Sequence, residues 1–267
     1  MIADRSYAAE FALALRAAAV AAEILTKRAG AEEIREKGRA DLVTAVDEAA
    51  ERAIADLIAE AFPDDAVIAE EFSSAEQIVR GRRWIVDPLD GTVNFVHGHP
   101  FACVSIAFAD DEGPAVGVIH APFLDEIYDA RRGGGARLNG EPIRVSRVGD
   151  PAAALLATGF PFKPGKGDPS EYLRMIGALL GCTHGVRRAG AAALDMAYVA
   201  AGRVDGFFEI GLSSWDVAAG IVLVQEAGGN VSGWPGDDAA ALETGRIVAS
   251  NGKIHDWLKG FLGRYHL

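Results

Sequence analysis

The stretch Trp84-Ile85-Val86-Asp87-Pro88-Leu89-Asp90-Gly91-Thr92 decides how the rest of the chain is read. Three apolar residues make a strand candidate that stops at Asp87, Pro88 rigidifies the exit, and a second carboxylate follows three residues after the first. Gly91 and Thr92 then offer backbone N–H groups where a turn or helix begins. Carboxylates suit hard cations such as magnesium, which keeps waters and binds substrate phosphate as well. Free N–H groups at a helix start suit a phosphate oxygen. A metal site and an anion site therefore stand side by side, as metal-assisted phosphate hydrolysis requires. The same spacing also suits a plain turn in which Asp87 caps a helix and Asp90 is solvated.

Upstream, Ala66 to Ala69 reads as a short strand ending at Glu70-Glu71, which are either exposed charge or acids pointing into a shared cleft. Asp41 to Asp47 holds Thr44 and Asp47 in capping-box spacing, ahead of a helix over 44–61. On that helix Val46, Ala50, Ile54, Leu57 and Ile58 are expected to face inward, with Glu48, Glu51, Arg52 and Glu60 outward. Near the start, Tyr7, Phe11, Leu15, Ala18, Ala22 and Leu25 form one apolar helical stripe. Downstream, the stretches 102–109 and 115–119 are apolar on both faces, as expected for strands covered by helices. Glu126 to Ala130 leads into a hairpin link at Gly133-Gly134-Gly135. The second half, from about Pro151, offers a loop over 159–169 and helices over 172–180, 191–201, 215–227 and 254–265. Strand candidates lie at 204–210 and 247–249, and Ser213 and Asp216 again have capping spacing.

With 267 residues, 50% of them hydrophobic and 24% charged, the chain has ordinary globular composition. We read residues 1–267 as a single domain, with possible sub-halves 1–150 and 151–267. Asp4 and Glu10 sit where a signal peptide would be basic, and the apolar stretch from Phe11 to Leu25 is too short to span a bilayer. A cytoplasmic location with no membrane contact is therefore expected. Cys103 and Cys182 lie far apart with no CxxC, which argues against a disulfide framework or a zinc site. A formal net charge of −12 argues against direct nucleic-acid binding. It would also repel an anionic substrate, unless bound divalent cations offset the charge locally.

Taken together, the segments Asp41 to Asp47, Glu70-Glu71, Trp84 to Asn94, Gly190 to Ala192 and Trp215-Asp216 resemble, in order, the motifs of inositol monophosphatases. The likeness runs through Ala130 to Ser146 and covers essentially the whole chain. It implies an α/β (α+β) fold, a layered α-β-α-β-α sandwich. It implies two or three magnesium ions, the first held by Glu70, Asp87 and the Leu89 carbonyl, the second by Asp87, Asp90 and Asp216, and Glu70 reaching a third. Thr92, bonded to Asp47, would help Glu70 activate the attacking water, and the Gly91 and Thr92 N–H groups would take a phosphate oxygen. Polyol hydroxyls would meet Asp90, Gly190, Ala191, Ala192 and Glu209. Ala191 departs from the threonine or serine often found there, which removes a hydroxyl. Lys37 matches a basic residue near the metal loop, or is a solvated lysine; His97 and His99 are expected to be structural. The activity implied is hydrolysis of inositol 1-phosphate, with histidinol-phosphate, fructose 1,6-bisphosphate or nucleotide 3′-phosphate as alternative substrates. Lithium sensitivity, a homodimer and, for some members, binding to transcription machinery complete what the resemblance implies.

Overall fold

The computed structural model describes residues 6–28, 34–38, 41–71, 81–160, 168–235, 241–265 and 267. The first half runs α1 (Ala8–Arg28), the hairpin β1 (Ile34–Gly38) and β2 (Asp41–Thr44), α2 (Ala45–Ala61), β3 (Ala66–Ala69) and β4 (Arg83–Asp90). It continues with the short α3 (Thr92–Val96), β5 (Cys103–Asp110), β6 (Gly113–Ala121), β7 (Glu126–Arg131), β8 (Gly135–Leu138) and β9 (Glu141–Pro142). The second half runs β10 (Leu155–Thr158), α4 (Pro169–Leu180), β11 (Gly185–Arg187), α5 (Ala192–Ala200), β12 (Gly206–Ile210) and α6 (Ser214–Glu226). It closes with β13 (Asn230–Gly233), α7 (Ala241–Thr244), β14 (Arg246–Ser250) and α8 (His255–Leu262).

Alternation along the strands sends side chains to two faces of each sheet. Trp84, Val86, Val104, Ile106, Phe108, Val116 and Val118 pack against Ala14, Ala18 and Leu25 of α1 and Ala50, Ile54 and Ile58 of α2. Their neighbours Ile85, Cys103, Ala107 and Ile119 turn the other way, onto Leu194 and Met196 of α5 and Val217, Ala218 and Leu223 of α6. Ala157, Phe207 and Ala249 close that cluster from the second sheet, while Leu156, Phe208 and Val248 face Tyr172, Met175, Leu258 and Leu262 of α4 and α8. The sheets are seven-stranded, β3 to β9 in chain order, and five-stranded, in the order β11-β10-β12-β14-β13. Stacked with the helices they form the expected α-β-α-β-α sandwich. Burying each large aliphatic side chain contributes about 1.5–3 kcal/mol, which makes these three clusters the reason the layers hold.

Several expectations need correction. The buried face of α1 is Leu13, Ala14, Ala17, Ala18, Ala21, Ala22 and Leu25, with Phe11 and Leu15 only partly covered at its edges. Alanines let α1 lie close on its neighbours, so the small residues, not the large ones, mark the contact. Glu51, expected outward, is 1% exposed because its carboxylate reaches across and accepts from the Glu71 N–H at 2.8 Å. The strand expected to stop at Asp87 continues to Asp90. Helix α4 starts earlier than expected, at Pro169, because Asp168 caps it by accepting from the Ser170 N–H. Residues 161–167 of the expected loop lie outside the described residues, and Lys37 falls in β1. Among the described residues no helix is long and apolar enough to cross a membrane.

Candidate active site and metal centre

Two acids three residues apart on a regular strand point to opposite faces. In β4 they do not, because the strand carries a bulge. Asp87 pairs with Ser105 and Asp90 with Cys103, so three steps on β4 oppose two on β5. Pro88 sits within this bulge and has no N–H to give the ladder, while the Leu89 N–H turns to the Asp87 Oδ1 at 2.9 Å. The extra residue returns Asp90 to the face of Asp87, toward α5 and α6, and leaves Leu89 in the apolar layer under α1 and α2. Asp216, in the first turn of α6, meets them there, and ligand atoms of Asp87, Asp90 and Asp216 all lie within 4.8 Å of one another. Its Oδ2 also accepts from the Ser213 N–H at 2.7 Å, so the expected capping contact forms within the same constellation.

The electrostatics of this trio are unfavourable for bare carboxylates. Burial, then the charges of Glu70, Asp90 and Asp216, push the Asp87 carboxyl well above its ordinary value. Burial and Asp216 push Asp90 up to about 8, against N–H groups of Ala193, Ala192 and Leu194 that favour its ionised form. Those N–H groups are the first turn of α5, and the Ala193 N–H reaches Asp90 Oδ2 at 2.7 Å. Asp90 thus does for α5 what Ala191, at its N-cap, cannot. A hard cation bound by oxygen ligands would relieve the repulsion, and the donor set fits magnesium in chemical type. Burial and the charges of Asp90, Asp87 and Asp195 raise the pKa of the buried Cys103 thiol beside Asp90, which keeps it protonated in the metal-free site.

Around the trio the other predicted residues fall as follows. Glu70, half-buried after β3, is close enough to raise Asp87 but lies outside the group of three. The Thr92 hydroxyl stands 3.3 Å from Asp47 Oδ1 and 3.1 Å from the Leu89 carbonyl, and Asp47 is buried. Gly91 has φ 91°, and a Cβ there would come within 3.0 Å of the Phe101 carbonyl and 3.2 Å of Ala191 Cβ, so both backbone and space demand glycine. Ala191 and Ala192 are buried and Gly190 precedes them. Burial, then Asp195, Asp216 and Asp90, raise the half-buried Glu209, and Arg188 opposes them. His99 has the expected structural role, its Nδ1 accepting from the Phe101 N–H at 3.2 Å.

Sequence reading missed three contributors. Asn94 donates both amide protons, to the carbonyls of Phe101 (2.7 Å) and Ala189 (2.9 Å), and so ties α3 to the entry of α5. Asp195 is 3% exposed inside α5, and burial followed by Asp90 raises it well above the carboxylate range. An acid in the otherwise apolar run Ala192 to Ala200 was the available signal. Arg188, the cation that faces Asp195 and Glu209, had none.

The sequence model of the inositol monophosphatase family matches residues 4–262. An inositol-1-monophosphatase from Synechocystis sp. is 45% identical over 243 residues, which is 90% of this chain and 83% of that protein. A Pseudomonas aeruginosa protein named Nus factor SuhB is 47% identical over 247 residues, 90% of this chain and 91% of its own. The crystal structure of the extragenic suppressor protein suhB from Bartonella henselae superposes with a TM-score of 0.89 at 39% identity, covering 96% of this chain and 98% of that one.

Proposed function

The chain belongs to the inositol monophosphatase family and is a phosphoric monoester hydrolase; from that premise we propose that it hydrolyses inositol 1-phosphate, or a close polyol phosphate, with magnesium as cofactor. The convergence of Asp87, Asp90 and Asp216 within 4.8 Å carries the reading. In it those three hold one ion, Glu70, Asp87 and the Leu89 carbonyl hold another, and Glu70 reaches any third. Bound there, magnesium supplies Lewis acidity to the phosphoryl oxygens and makes water more acidic.

The chain's own residues do the rest. The Thr92 hydroxyl has one proton and two acceptors within reach, Asp47 and the Leu89 carbonyl. Donation to Asp47 aims a lone pair at the attacking water, whose proton passes to Thr92 Oγ1 as the Thr92 proton passes to the Asp47 carboxylate, while Glu70 orients the same water. The Gly91 and Thr92 N–H groups take a non-bridging phosphate oxygen. Asp90, Gly190, Ala191, Ala192 and Glu209 line the leaving-group side, where the Glu209 carboxylate accepts from polyol hydroxyls. We expect this chemistry to run in one domain of a cytoplasmic homodimer.

A panel of inositol 1-phosphate, histidinol-phosphate, fructose 1,6-bisphosphate, a nucleotide 3′-phosphate and p-nitrophenyl phosphate, assayed by phosphate release, tests the substrate. Inositol 1-phosphate should give the highest kcat/KM, and release should stop on chelation and return with magnesium. Undiminished turnover after exhaustive chelation, or preference for another substrate, overturns the corresponding half of the proposal. The name Nus factor SuhB, on a relative 47% identical, favours a second reading, a separate role in binding transcription machinery. An Asp90→Asn variant that still captures transcription proteins would support it, and loss of capture by a folded wild type would end it.

A further inference from the structure

Glu209 lies on β12, beside the end of β10, where Thr158 pairs with Phe208. The next residue, Gly159, has no positive φ that would require glycine, yet a Cβ on it would overlap both carboxylate oxygens and Cδ of Glu209. Space, not backbone conformation, is what a larger residue would take away there. The following residue, Phe160, is 37% exposed and so contributes little to the core. Its ring instead carries the Arg188 guanidinium 5.6 Å from its centroid and meets Tyr172 edge-on at 6.3 Å and 90°. Tyr172 is anchored in turn: its hydroxyl lies 2.7 Å from Thr158 Oγ1, which donates to the Phe208 carbonyl at 2.7 Å. With its single proton given to Phe208, Thr158 accepts from Tyr172. The end of β10 is therefore anchored through Thr158 and Tyr172, with Gly159 against Glu209 and Phe160 against Arg188.

We propose that Gly159, Phe160 and Arg188 form a seat that fixes the Glu209 carboxylate and so sets the selectivity for polyol leaving groups. They are positioning residues, acting through Glu209, and the inference rests on the reading of Glu209 as a leaving-group contact. Gly159 supplies the floor, where a Cβ would displace the Glu209 carboxylate from its position. Phe160 carries the Arg188 guanidinium over its ring, and the Arg188 charge acts against the acids Asp195, Asp216 and Asp90 that raise Glu209. Arg is suited to this place because a guanidinium can lie over an aromatic ring and keep its charge beside acids.

The test compares kcat/KM for inositol 1-phosphate and p-nitrophenyl phosphate, at saturating magnesium, in wild type, Glu209→Gln, Gly159→Ala, Arg188→Ala and Phe160→Leu. Glu209→Gln should lose about tenfold or more on the inositol substrate alone. Gly159→Ala should follow it, with about a tenfold loss, and Arg188→Ala and Phe160→Leu about three- to tenfold, all mainly in KM. If Glu209→Gln is selective and the other three are not, the seat is overturned while the Glu209 reading stands. If Glu209→Gln is itself unselective, the polyol reading falls and the seat with it. Equal losses on both substrates in the seat variants also overturn the proposal, since a merely structural role would act on both. Should Gly159→Ala lower Tm sharply, the two exposed-side variants decide alone.

Discussion

Two groups of carboxylates sit at opposite ends of β5, and the protein treats them in opposite ways. At its start, beside Cys103, Asp87, Asp90 and Asp216 crowd one another and rise above the carboxylate range or lie among acids that do. At its end, about 23 Å away by strand rise, burial would also raise Asp110. There the Tyr7 hydroxyl at 2.6 Å, the Glu112 N–H at 2.9 Å and Arg132 outweigh burial and hold the group below its ordinary value. Arg132 further binds Glu112 at 3.0 Å and the Gly113 carbonyl at 2.8 Å. The Asp110 group is complete without any ligand and stabilises the fold, whereas the Asp90 group costs stability until something positive arrives. Acids held by a cation and acids crowded by other acids can thus be told apart by their partners, although burial is similar in both: Asp90 is 8% and Asp110 7% exposed.

The largest expected effect tests the crowded end. Asp90→Asn keeps side-chain volume but removes a charge from the trio, and kcat should fall at least about 100-fold, several kcal/mol of transition-state stabilisation. Above about pH 8, where wild-type Asp90 ionises beside Asp216, Tm of the chelated variant should be no lower than wild type, because a like-charge repulsion is gone. Near wild-type turnover at saturating magnesium would remove Asp90 from the site. Next in size, Asp110→Asn should lose about 1.5–3 kcal/mol of stability in urea titration, the worth of charge-assisted hydrogen bonds to a buried group. Its kcat per folded molecule should match wild type, and a matching fall in kcat would show that the two ends are coupled.

The last test is the dependence of stability on pH. Folded and free of metal, Asp90 keeps its proton up to about pH 8, whereas in the unfolded chain it is lost near pH ~3.9. Stability from that proton is complete below the unfolded value and is lost as pH rises toward the folded one. Asp110 has the opposite sign, contributing above its unfolded value and losing that contribution as pH falls through the depressed folded value. In chelator, therefore, Tm should decline between about pH 5 and pH 8, and Asp90→Asn should flatten the decline. Magnesium should raise Tm most at the alkaline end, where it no longer competes with protons. A chelated wild type whose Tm climbs through that window would contradict the reading of Asp90.

What could be read from the sequence was what is local. The apolar run 84–86 declares a strand and the two acids after it a candidate cation site, though not that the strand runs on to Asp90, and the apolar stretches 102–109 and 115–119 declare covered strands. What could not be read depends on partners remote in the chain. The bulge exists only in relation to Ser105 and Cys103, and the capping of α5 joins residues 90 and 193. Glu51 sits at a position of α2 that patterning assigns to solvent, and its bond from the distant Glu71 N–H could not be read from that pattern. Strands β11 and β13, three and four residues long and each containing glycine, are too short for alternation to register. Gly159 looked like a loop residue because nothing in its neighbourhood names Glu209.

The surplus residue in β4 has a consequence for assembly. Ironing the bulge out would shift the end of the strand by one step, turning Leu89 into the cleft and Asp90 into the apolar cluster under α1 and α2. That misaligned sheet would bury a carboxylate among hydrocarbon with no partner, a penalty of several kcal/mol. Asp90 therefore serves as a registration mark: the acid that equips the site also makes the wrong alignment of the sheet the expensive one.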